Sequence, residues 1–235
     1  MVRTINRFLG FLFLLVVITS CSNDPQYELV IAHGRVIDPE TKLDGIRYVG
    51  INTGTISQIS QQPLRGLKTI DASGLVVAPG FIDVHSHTPT LLGQHVNLLD
   101  GVTTQLDLEA GSFPVSFYGE HFRDGAQINY GSSVGHWAVR TKVIEGIDMP
   151  YIFSGNKVLT MAGSTWMQTA TAEQIEQMRV LLNRGLDEGG LGIGVLLDYM
   201  TKAVSDAELR MLFEVASARD VPIYIHVRRG YTGDP

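Results

Sequence analysis

The sequence of 235 residues is poor in cysteine and in clustered positive charge. Its one cysteine, Cys21, excludes a disulfide within the chain and fits a thiol that is reserved for another attachment. Lysine and arginine number 18 against 24 aspartates and glutamates, for a formal net charge of −6, and no basic run interrupts the sequence. Nucleic acid attracts clustered cationic side chains, so we expect no nucleic-acid partner.

The N-terminal residues have the pattern of a targeting segment. Two arginines precede the apolar stretch Phe8–Ile18, which is too short to span a membrane as a mature helix. Small residues then lead to Cys21, which resembles a bacterial lipobox. We therefore predict a lipoprotein signal peptide over residues 1–20, lipidation of Cys21 and a polar tether over residues 21–26. The alternative is an ordinary signal peptide with an incidental cysteine.

The residue after the cysteine bears on where such a lipoprotein resides. It is Ser22 rather than an aspartate. By resemblance to the sorting rule of Gram-negative bacteria, this favours the outer membrane, with the protein facing the periplasm. We predict a cell-envelope location in which the lipid is the only contact with the membrane.

Residues 27–77 are rich in short β-type runs. These runs alternate with turn signals that contain glycine, asparagine or aspartate, which is typical of an all-β unit. We predict a small β domain here. The predicted strands are Leu29–Ile31, Arg35–Ile37, Ile46–Ile51, Thr55–Ile59 and Leu75–Val77.

From residue 78 onward, apolar strands alternate with helical stretches. This order indicates an α/β fold with a parallel sheet. A closed β/α barrel has eight strands and usually about 250 residues, so we interpret residues 78–235 as the N-terminal part of a barrel in a truncated protein or gene fragment. The five predicted strands are Gly80–Val84, Val102–Leu108, Ile128–Val134, Leu191–Leu196 and Pro222–His226, and the helices are Pro89–Leu99, Ala172–Glu188 and Asp206–Arg219.

Two histidines follow the first of these strands. Side chains two positions apart in a strand point to the same face, so His85 and His87 can present two imidazoles to one metal ion. Nitrogen ligands of this kind suit zinc. Asp83 precedes them on the same face and is a candidate to support a ligand from behind. The alternative is a polar pair that ends an edge strand.

Two more strand ends carry metal-binding residue types. Glu109 follows the second strand, and we favour it over Asp107 as a ligand because it lies nearer to the end of that strand. His226 ends the fifth strand. The carboxyl ends of barrel strands meet at one face of the fold, so these side chains are expected to converge. The alternatives are a solvated loop carboxylate for Glu109 and a satisfied core position for His226.

Several short motifs together make the sequence resemble the amidohydrolase superfamily of metal-dependent hydrolases. Within it the chain is similar to the N-acyl-D-amino-acid deacylase (D-aminoacylase) branch. The better-known members of that branch have a cysteine where Glu109 stands here. The motifs are Gly34–Pro39, Asp71–Gly74, Ala78–His87, Asp100–Thr104, Gly135-His136 and His226–Arg228.

This resemblance implies a (β/α)8 barrel of the TIM type, preceded by a small β domain that C-terminal strands complete. It also implies one or two zinc ions held by His85, His87, Glu109 and His226. A further metal-binding histidine and a proton-shuttling aspartate would lie beyond the last residue. The catalytic group itself is therefore not among the residues of this sequence.

Four residues are candidates for contact with the substrate. His136 follows the third strand and either lines the pocket or has a structural role. Arg140 and Arg228 are suited to a substrate carboxylate, because guanidinium groups match its geometry; either is also plausible as an ordinary surface arginine. Tyr199 follows the fourth strand and is a pocket candidate of the same kind.

The expected reaction of the full-length parent is hydrolysis of an N-acyl-D-amino acid by metal-activated water. The partner is accordingly a small N-acyl amino acid. Another cyclic-amide or dipeptide hydrolase of the superfamily is the alternative enzyme, although those often use a carboxylated lysine and no lysine ends a strand here. An inactive lipid-anchored fragment is the alternative from another class.

Overall fold

The computed structural model describes residues 26–87, 89–122, 125–150 and 163–227. The chain divides into two compact units at Pro79–Gly80. The predictions for Cys21 and Arg228 concern residues outside these ranges. Among the described residues, none of the helices has the length and hydropathy that crossing a bilayer requires.

The first unit is built on one five-stranded sheet. Strand β1 lies at its centre, antiparallel to β2 and parallel to β4 and β5, while β3 pairs antiparallel with β2. The strands are β1 (Tyr27–Asp38), β2 (Leu43–Asn52), β3 (Thr55–Ser60), β4 (Gly66–Asp71) and β5 (Val76–Val77).

Strand β1 differs from the two shorter strands that the sequence predicted. It runs on through His33-Gly34, where the pairing with β2 shifts between Ile31 and Gly34 and His33 has a φ of 63°. A local β-bulge and a chain reversal share the same residue preferences. The sequence signal was therefore a bulge within one strand and not a turn between two.

The second unit contains a sheet of five parallel strands in chain order, which confirms the predicted α/β class. Each strand is hydrogen-bonded to the next one along the chain. A sheet wound in one direction in this way is the arrangement found in the first part of a β/α barrel. The strands are β6 (Phe81–Asp83), β7 (Val102–Ser112), β8 (Asn129–Gly135), β9 (Ile193–Val195) and β10 (Ile223–Ile225).

Six α-helices and one short 3-10 helix (Gly119–Phe122) in the described residues connect or flank these strands. Side chains cap three of them: Thr90 accepts from the Gly93 amide, Thr171 forms a capping box with Gln174, and Ser205 accepts from the Glu208 amide. The helices are α1 (Leu91–Leu99), α2 (Val115–Tyr118), α3 (His136–Glu145), α4 (Ser164–Met167), α5 (Ala172–Asp187) and α6 (Asp206–Arg219).

The core of this unit lies between the sheet and helices α3, α5 and α6. Trp137, Met178, Leu182 and Leu212 are completely buried there. Helix α3 has buried residues at each position from 136 to 141, so it lacks the polar face that marks an amphipathic helix in a sequence. This explains why the sequence pattern did not predict it.

Candidate metal centre

The carboxyl end of β7 departs from regular strand geometry. Its pairing with β8 runs to Asp107 opposite Ser132 and resumes only at Ser112 opposite Val134. The four residues 108–111 of β7 therefore lie opposite one residue of β8, Ser133, and form a bulge in the strand. Gly111 has a φ of 68°, and a Cβ there would lie 2.6 Å from the Gly135 nitrogen. The bulge thus requires glycine, and it directs Glu109 toward the ends of the neighbouring strands.

Three of the predicted ligands meet at this bulge. The Nε2 atom of His85 lies 3.0 Å from Glu109 Oε2, and the Nε2 atom of His87 lies 3.3 Å from the same oxygen. One ligand atom from each of the three residues lies within 4.8 Å of the others. The rings of His85 and His87 meet edge to face, with centroids 4.8 Å apart. Two imidazoles and one carboxylate therefore share one small volume.

These distances fit a divalent transition-metal ion. Zinc–ligand bonds of about 2.0–2.2 Å in a tetrahedron separate neighbouring ligand atoms by about 3.3 Å. The two nitrogen–oxygen distances at Glu109 Oε2 match this edge length. The donor set of two imidazole nitrogens and a carboxylate oxygen also suits zinc and related ions. The residues present thus fit a metal ion.

His226 approaches the other oxygen of the same carboxylate. Its Nδ1 atom lies 2.5 Å from Glu109 Oε1. Glu109 therefore faces His85 and His87 with one oxygen and His226 with the other, which is the disposition of a carboxylate able to serve two ions or one. The ring of Tyr199 lies edge-on to that of His226 at 4.8 Å and is partly exposed, so Tyr199 lies beside the cluster, where its side chain is accessible.

The two aspartates near the cluster have different partners. Asp107 is buried, and its Oδ1 atom lies 3.1 Å from His87 Nδ1 and accepts the Gly111 amide at 3.0 Å. The hydrogen bond to Asp107 raises the pKa of His87; partial burial opposes this effect, and the charges of Asp107 and Glu109 reinforce it. Asp83 instead accepts the backbone amide of His85 at 3.0 Å, so it contacts the backbone of a ligand and not its ring.

The structure corrects the predicted roles of His136 and Arg140. Both side chains are fully buried between α3 and α6, where each contacts the carboxylate of Glu208. His136 Nε2 lies 2.7 Å from Glu208 Oε1, and Arg140 also donates to the carbonyl oxygens of Thr165 and Gln168. These groups are directed into the protein and away from a substrate, so the structural alternative holds for His136, and Arg140 is a core residue.

The charge of Glu208 is stabilised in this buried setting. Burial raises the pKa of Glu208, but the hydrogen bonds and positive charges supplied by His136 and Arg140 outweigh burial and leave the pKa below its ordinary value. We call His136, Arg140 and Glu208 the buried cluster. The sequence carried one signal for it: a glutamate three residues after the Ser205 cap, at a position of α6 whose neighbours in the helix face the core.

Gly194 is a site residue that the sequence analysis did not assign. A Cβ at this position of β9 would lie 2.5 Å from the Glu109 carbonyl oxygen and 2.6 Å from that of Leu108. Glycine therefore allows β9 to approach the bulge that carries Glu109. A glycine within a strand is itself a signal of close backbone approach, so the sequence does carry a signal for this position.

Comparison with known families agrees with this geometry. The model of the amidohydrolase family matches residues 68–194, which is more than half of the chain. The chain therefore belongs to the amidohydrolase family. The match includes β6, β7 and β8 and with them His85, His87 and Glu109.

Individual relatives point to two kinds of enzyme. The chain is 26% identical over 220 residues to a D-aminoacylase from Alcaligenes xylosoxydans xylosoxydans, and the alignment covers 80% of this chain and 42% of that protein. It is 47% identical over 60 residues to a dihydroorotase from Streptococcus pneumoniae serotype 4, and that alignment covers 25% of this chain and 14% of that protein.

A solved structure extends the likeness to the fold. An N-acyl-D-glutamate deacylase from Bordetella bronchiseptica, complexed with zinc and a phosphonate inhibitor, has a TM-score of 0.66 and 23% identity, and the alignment covers 86% of this chain and 45% of that one. The chain thus spans less than half the length of each of these three proteins. The fold is that of the amidohydrolase barrels.

Proposed function

We propose that this chain carries the metal-binding part of an amide hydrolase that removes the acyl group from N-acyl-D-amino acids. The observation that carries the proposal is the convergence of His85, His87 and His226 on the two oxygens of Glu109. The length of the alignment with the D-aminoacylase, which includes most of this chain, supports this substrate class.

The residues of the cluster have separate tasks in this proposal. His85 and His87 offer the lone pairs of their Nε2 atoms as uncharged metal ligands, and Glu109 supplies the negative charge that balances a divalent cation. His226 holds the second oxygen of Glu109. When bound, a zinc ion supplies a Lewis acid that polarises an amide carbonyl and acidifies a water molecule. Tyr199, beside His226, is placed to contact the acyl group or the amino-acid side chain.

Hydrolysis of a cyclic amide is the second candidate. It rests on the dihydroorotase match, which has the higher identity but covers a quarter of the chain. The two candidates differ in substrate, so a single assay panel separates them: N-acetyl-D-glutamate, N-acetyl-L-glutamate and dihydroorotate, each with zinc and with a chelator added.

The test combines zinc content with this panel. We expect wild-type protein to retain zinc and Glu109→Ala to lose it, with Glu176→Ala, a substitution on the outer face of α5, as the matched control. Release of free D-glutamate that a chelator abolishes supports the proposal, and ring opening of dihydroorotate supports the second candidate. Undiminished zinc content in Glu109→Ala removes Glu109 from the site. Because the expected proton-shuttling aspartate lies beyond the last residue, zinc retention without turnover of any substrate would show that this chain holds the metal ligands but is inactive by itself.

We also propose that the protein is attached to the cell envelope through a lipid on Cys21. The support is the apolar stretch and the small residues that precede this cysteine. The test is incorporation of labelled palmitate by cells expressing the wild-type chain, with Cys21→Ser as the comparison. Equal labelling of both proteins, or of neither, would contradict the proposal.

A further inference from the structure

We propose that Asp107 is a positioning residue of the metal centre, which holds the imidazole of His87 so that its Nε2 atom faces the metal ion. The inference rests on the proposed metal-binding function and deepens it. It assigns a task to a carboxylate whose place in the sequence marks it only as an alternative ligand to Glu109.

The ring of His87 lies between two carboxylates. Its Nδ1 atom is 3.1 Å from Asp107 Oδ1, and its Nε2 atom is 3.3 Å from Glu109 Oε2. The two nitrogens of an imidazole point in widely divergent directions, so the two carboxylates are on different sides of the ring. An ionised carboxylate can only accept a hydrogen bond. When Nε2 binds a metal ion it must offer its lone pair, so the one proton of the neutral ring lies on Nδ1, where Asp107 accepts it.

Asp107 is itself held in place. Its Oδ1 atom accepts the Gly111 amide at 3.0 Å, and its side chain is 1% exposed. Gly111 belongs to the same bulge as Glu109, so one piece of backbone carries both a ligand of the metal and the group that orients another ligand. An isolated bridge also pairs the backbone of Asp107 with that of His85. The contact with His87 is thus made by a rigid group.

The position of Asp107 argues against direct ligation. The compact ligand group in the described residues consists of His85, His87 and Glu109, and Asp107 lies behind the His87 ring. Its Oδ2 atom is buried and has no hydrogen-bond partner among the described residues. A buried carboxylate that is only partly satisfied costs free energy. Its presence is explained when its contact with His87 serves a ligand, as carboxylates behind metal-bound histidines commonly do.

Asp83 provides a matched control. It is also an aspartate at the end of a strand next to the cluster, but it accepts the backbone amide of His85, and its carboxylate has no ring nitrogen as a partner in the described part of the chain. Asp83→Asn therefore removes one negative charge near the site and leaves the imidazole of His87 with its partner. A general loss of negative potential would affect both variants, whereas loss of ring positioning would affect only variants of Asp107.

The experiment measures zinc affinity of the full chain by competition with a chromophoric chelator. We expect Asp107→Ala to bind zinc about 10- to 100-fold more weakly than wild type. Asp107→Asn keeps the size and one acceptor oxygen, so its loss is smaller, and Asp83→Asn stays close to wild type. A wild-type chain that binds no zinc overturns the proposed function and this inference with it. Tight binding by wild type and by Asp107→Ala alike overturns the inference alone.

A second readout needs no metal. Glu109→Ala removes the competing acceptor at Nε2, and long-range proton–nitrogen NMR of the imidazoles at alkaline pH then identifies which nitrogen of His87 carries the proton. We expect the Nδ1–H form in Glu109→Ala and in Glu109→Ala combined with Asp83→Asn, and loss of that preference in Glu109→Ala combined with Asp107→Ala. A merely structural aspartate would leave the tautomer unchanged. The Nε2–H form in Glu109→Ala would overturn the inference even if Asp107→Ala binds zinc weakly.

Discussion

The second unit contains two clusters built from the same residue types, histidine and carboxylate, and they differ in burial and in countercharge. We call His85, His87, Glu109 and His226 the metal cluster, meaning the candidate ligand residues and not a group of metal ions. In it, the side chain of His85 is more than half exposed, and Glu109 is the charged partner of three imidazoles. In the buried cluster, the side chains of His136, Arg140 and Glu208 are all fully buried.

The difference lies in what supplies positive charge to the carboxylate. Glu208 has the guanidinium of Arg140 within the protein, so its charge is already balanced. The charge partners of Glu109 among the described residues are imidazoles, which are neutral when they act as metal ligands, so its charge is available to a cation from solution. A histidine next to a carboxylate is thus part of a candidate metal site in one case and a core contact in the other, and within the described residues the buried Arg140 distinguishes the two.

The largest expected effect is on the buried cluster. Glu208→Ala leaves the Arg140 guanidinium buried without its countercharge, and loss of one partner of a buried ion pair costs about 3–5 kcal/mol of unfolding free energy. Urea denaturation measures this loss. The control is Glu176→Ala, which removes one partner of an exposed pair with Arg179. A loss in Glu208→Ala no greater than in the control would show that the buried pair does not hold α3 and α6 together.

The next effect is specific to the metal cluster. Zinc at 100 times its dissociation constant should stabilise the folded chain by about 2.7 kcal/mol, because it binds only the folded state. Thermal melts with and without zinc measure this shift. We expect it to vanish in Glu109→Ala.

The control for this prediction lies in the buried cluster. Arg140 and His136 are remote from solvent, so His136→Gln should lower stability yet keep the full zinc-dependent shift. Zinc-dependent stabilisation that persists in Glu109→Ala would show that zinc does not bind at Glu109. Its disappearance in His136→Gln would show that the buried cluster is required for zinc binding.

A smaller effect concerns pH. The pKa of Glu208 is lower in the folded chain than its ordinary value, so its ionised form contributes stability that is complete above the unfolded-state pKa of about 4.3. This contribution is lost as the pH falls through the lower, folded-state pKa. Acid unfolding followed by circular dichroism should therefore show a shallower pH dependence in Glu208→Gln between the unfolded-state pKa and the lower folded-state pKa. Superimposable acid profiles of the two proteins, after correction for their stability at neutral pH, would contradict the prediction.

The smallest effect is that of an ion pair at the surface. Arg184 in the last turn of α5 pairs at 3.0 Å with Glu188, the residue that follows the helix, and the arginine is well exposed. Arg184→Ala should cost about 0.3–0.5 kcal/mol and lose that difference in high salt. Urea denaturation at two salt concentrations provides the measurement. If Arg184→Ala lost as much unfolding free energy as Glu208→Ala, burial would not explain why one ion pair stabilises the fold more than the other.

Much of the metal cluster could be predicted from the sequence because its signals are local. His85 and His87 follow a short apolar strand with the two-residue spacing that places side chains on one face. His226 likewise follows β10. Parallel strands bring such ends together, so listing the residue types at strand ends was enough to name candidates that the structure then places in contact.

The separate tasks of Asp107 and Glu109 could not be predicted in that way. Two positions apart in a regular strand, they were expected to share a face. The register shift after Asp107 breaks this alternation, so one carboxylate lies behind the His87 ring and the other lies in front of it. The shift depends on contacts of Gly111 and Gly194 with neighbouring strands, which no local pattern reports.

The sequence by itself determined the alternation of strands and helices, the caps of α5 and α6, and the residue types at the strand ends, because these depend on local periodicity and backbone preference. Only the tertiary structure decided that Arg140 is a buried countercharge, that Asp107 faces the Nδ1 side of the His87 ring, and that Glu109 contacts three histidines. These outcomes depend on burial and on the register between strands, which arise when distant segments pack together.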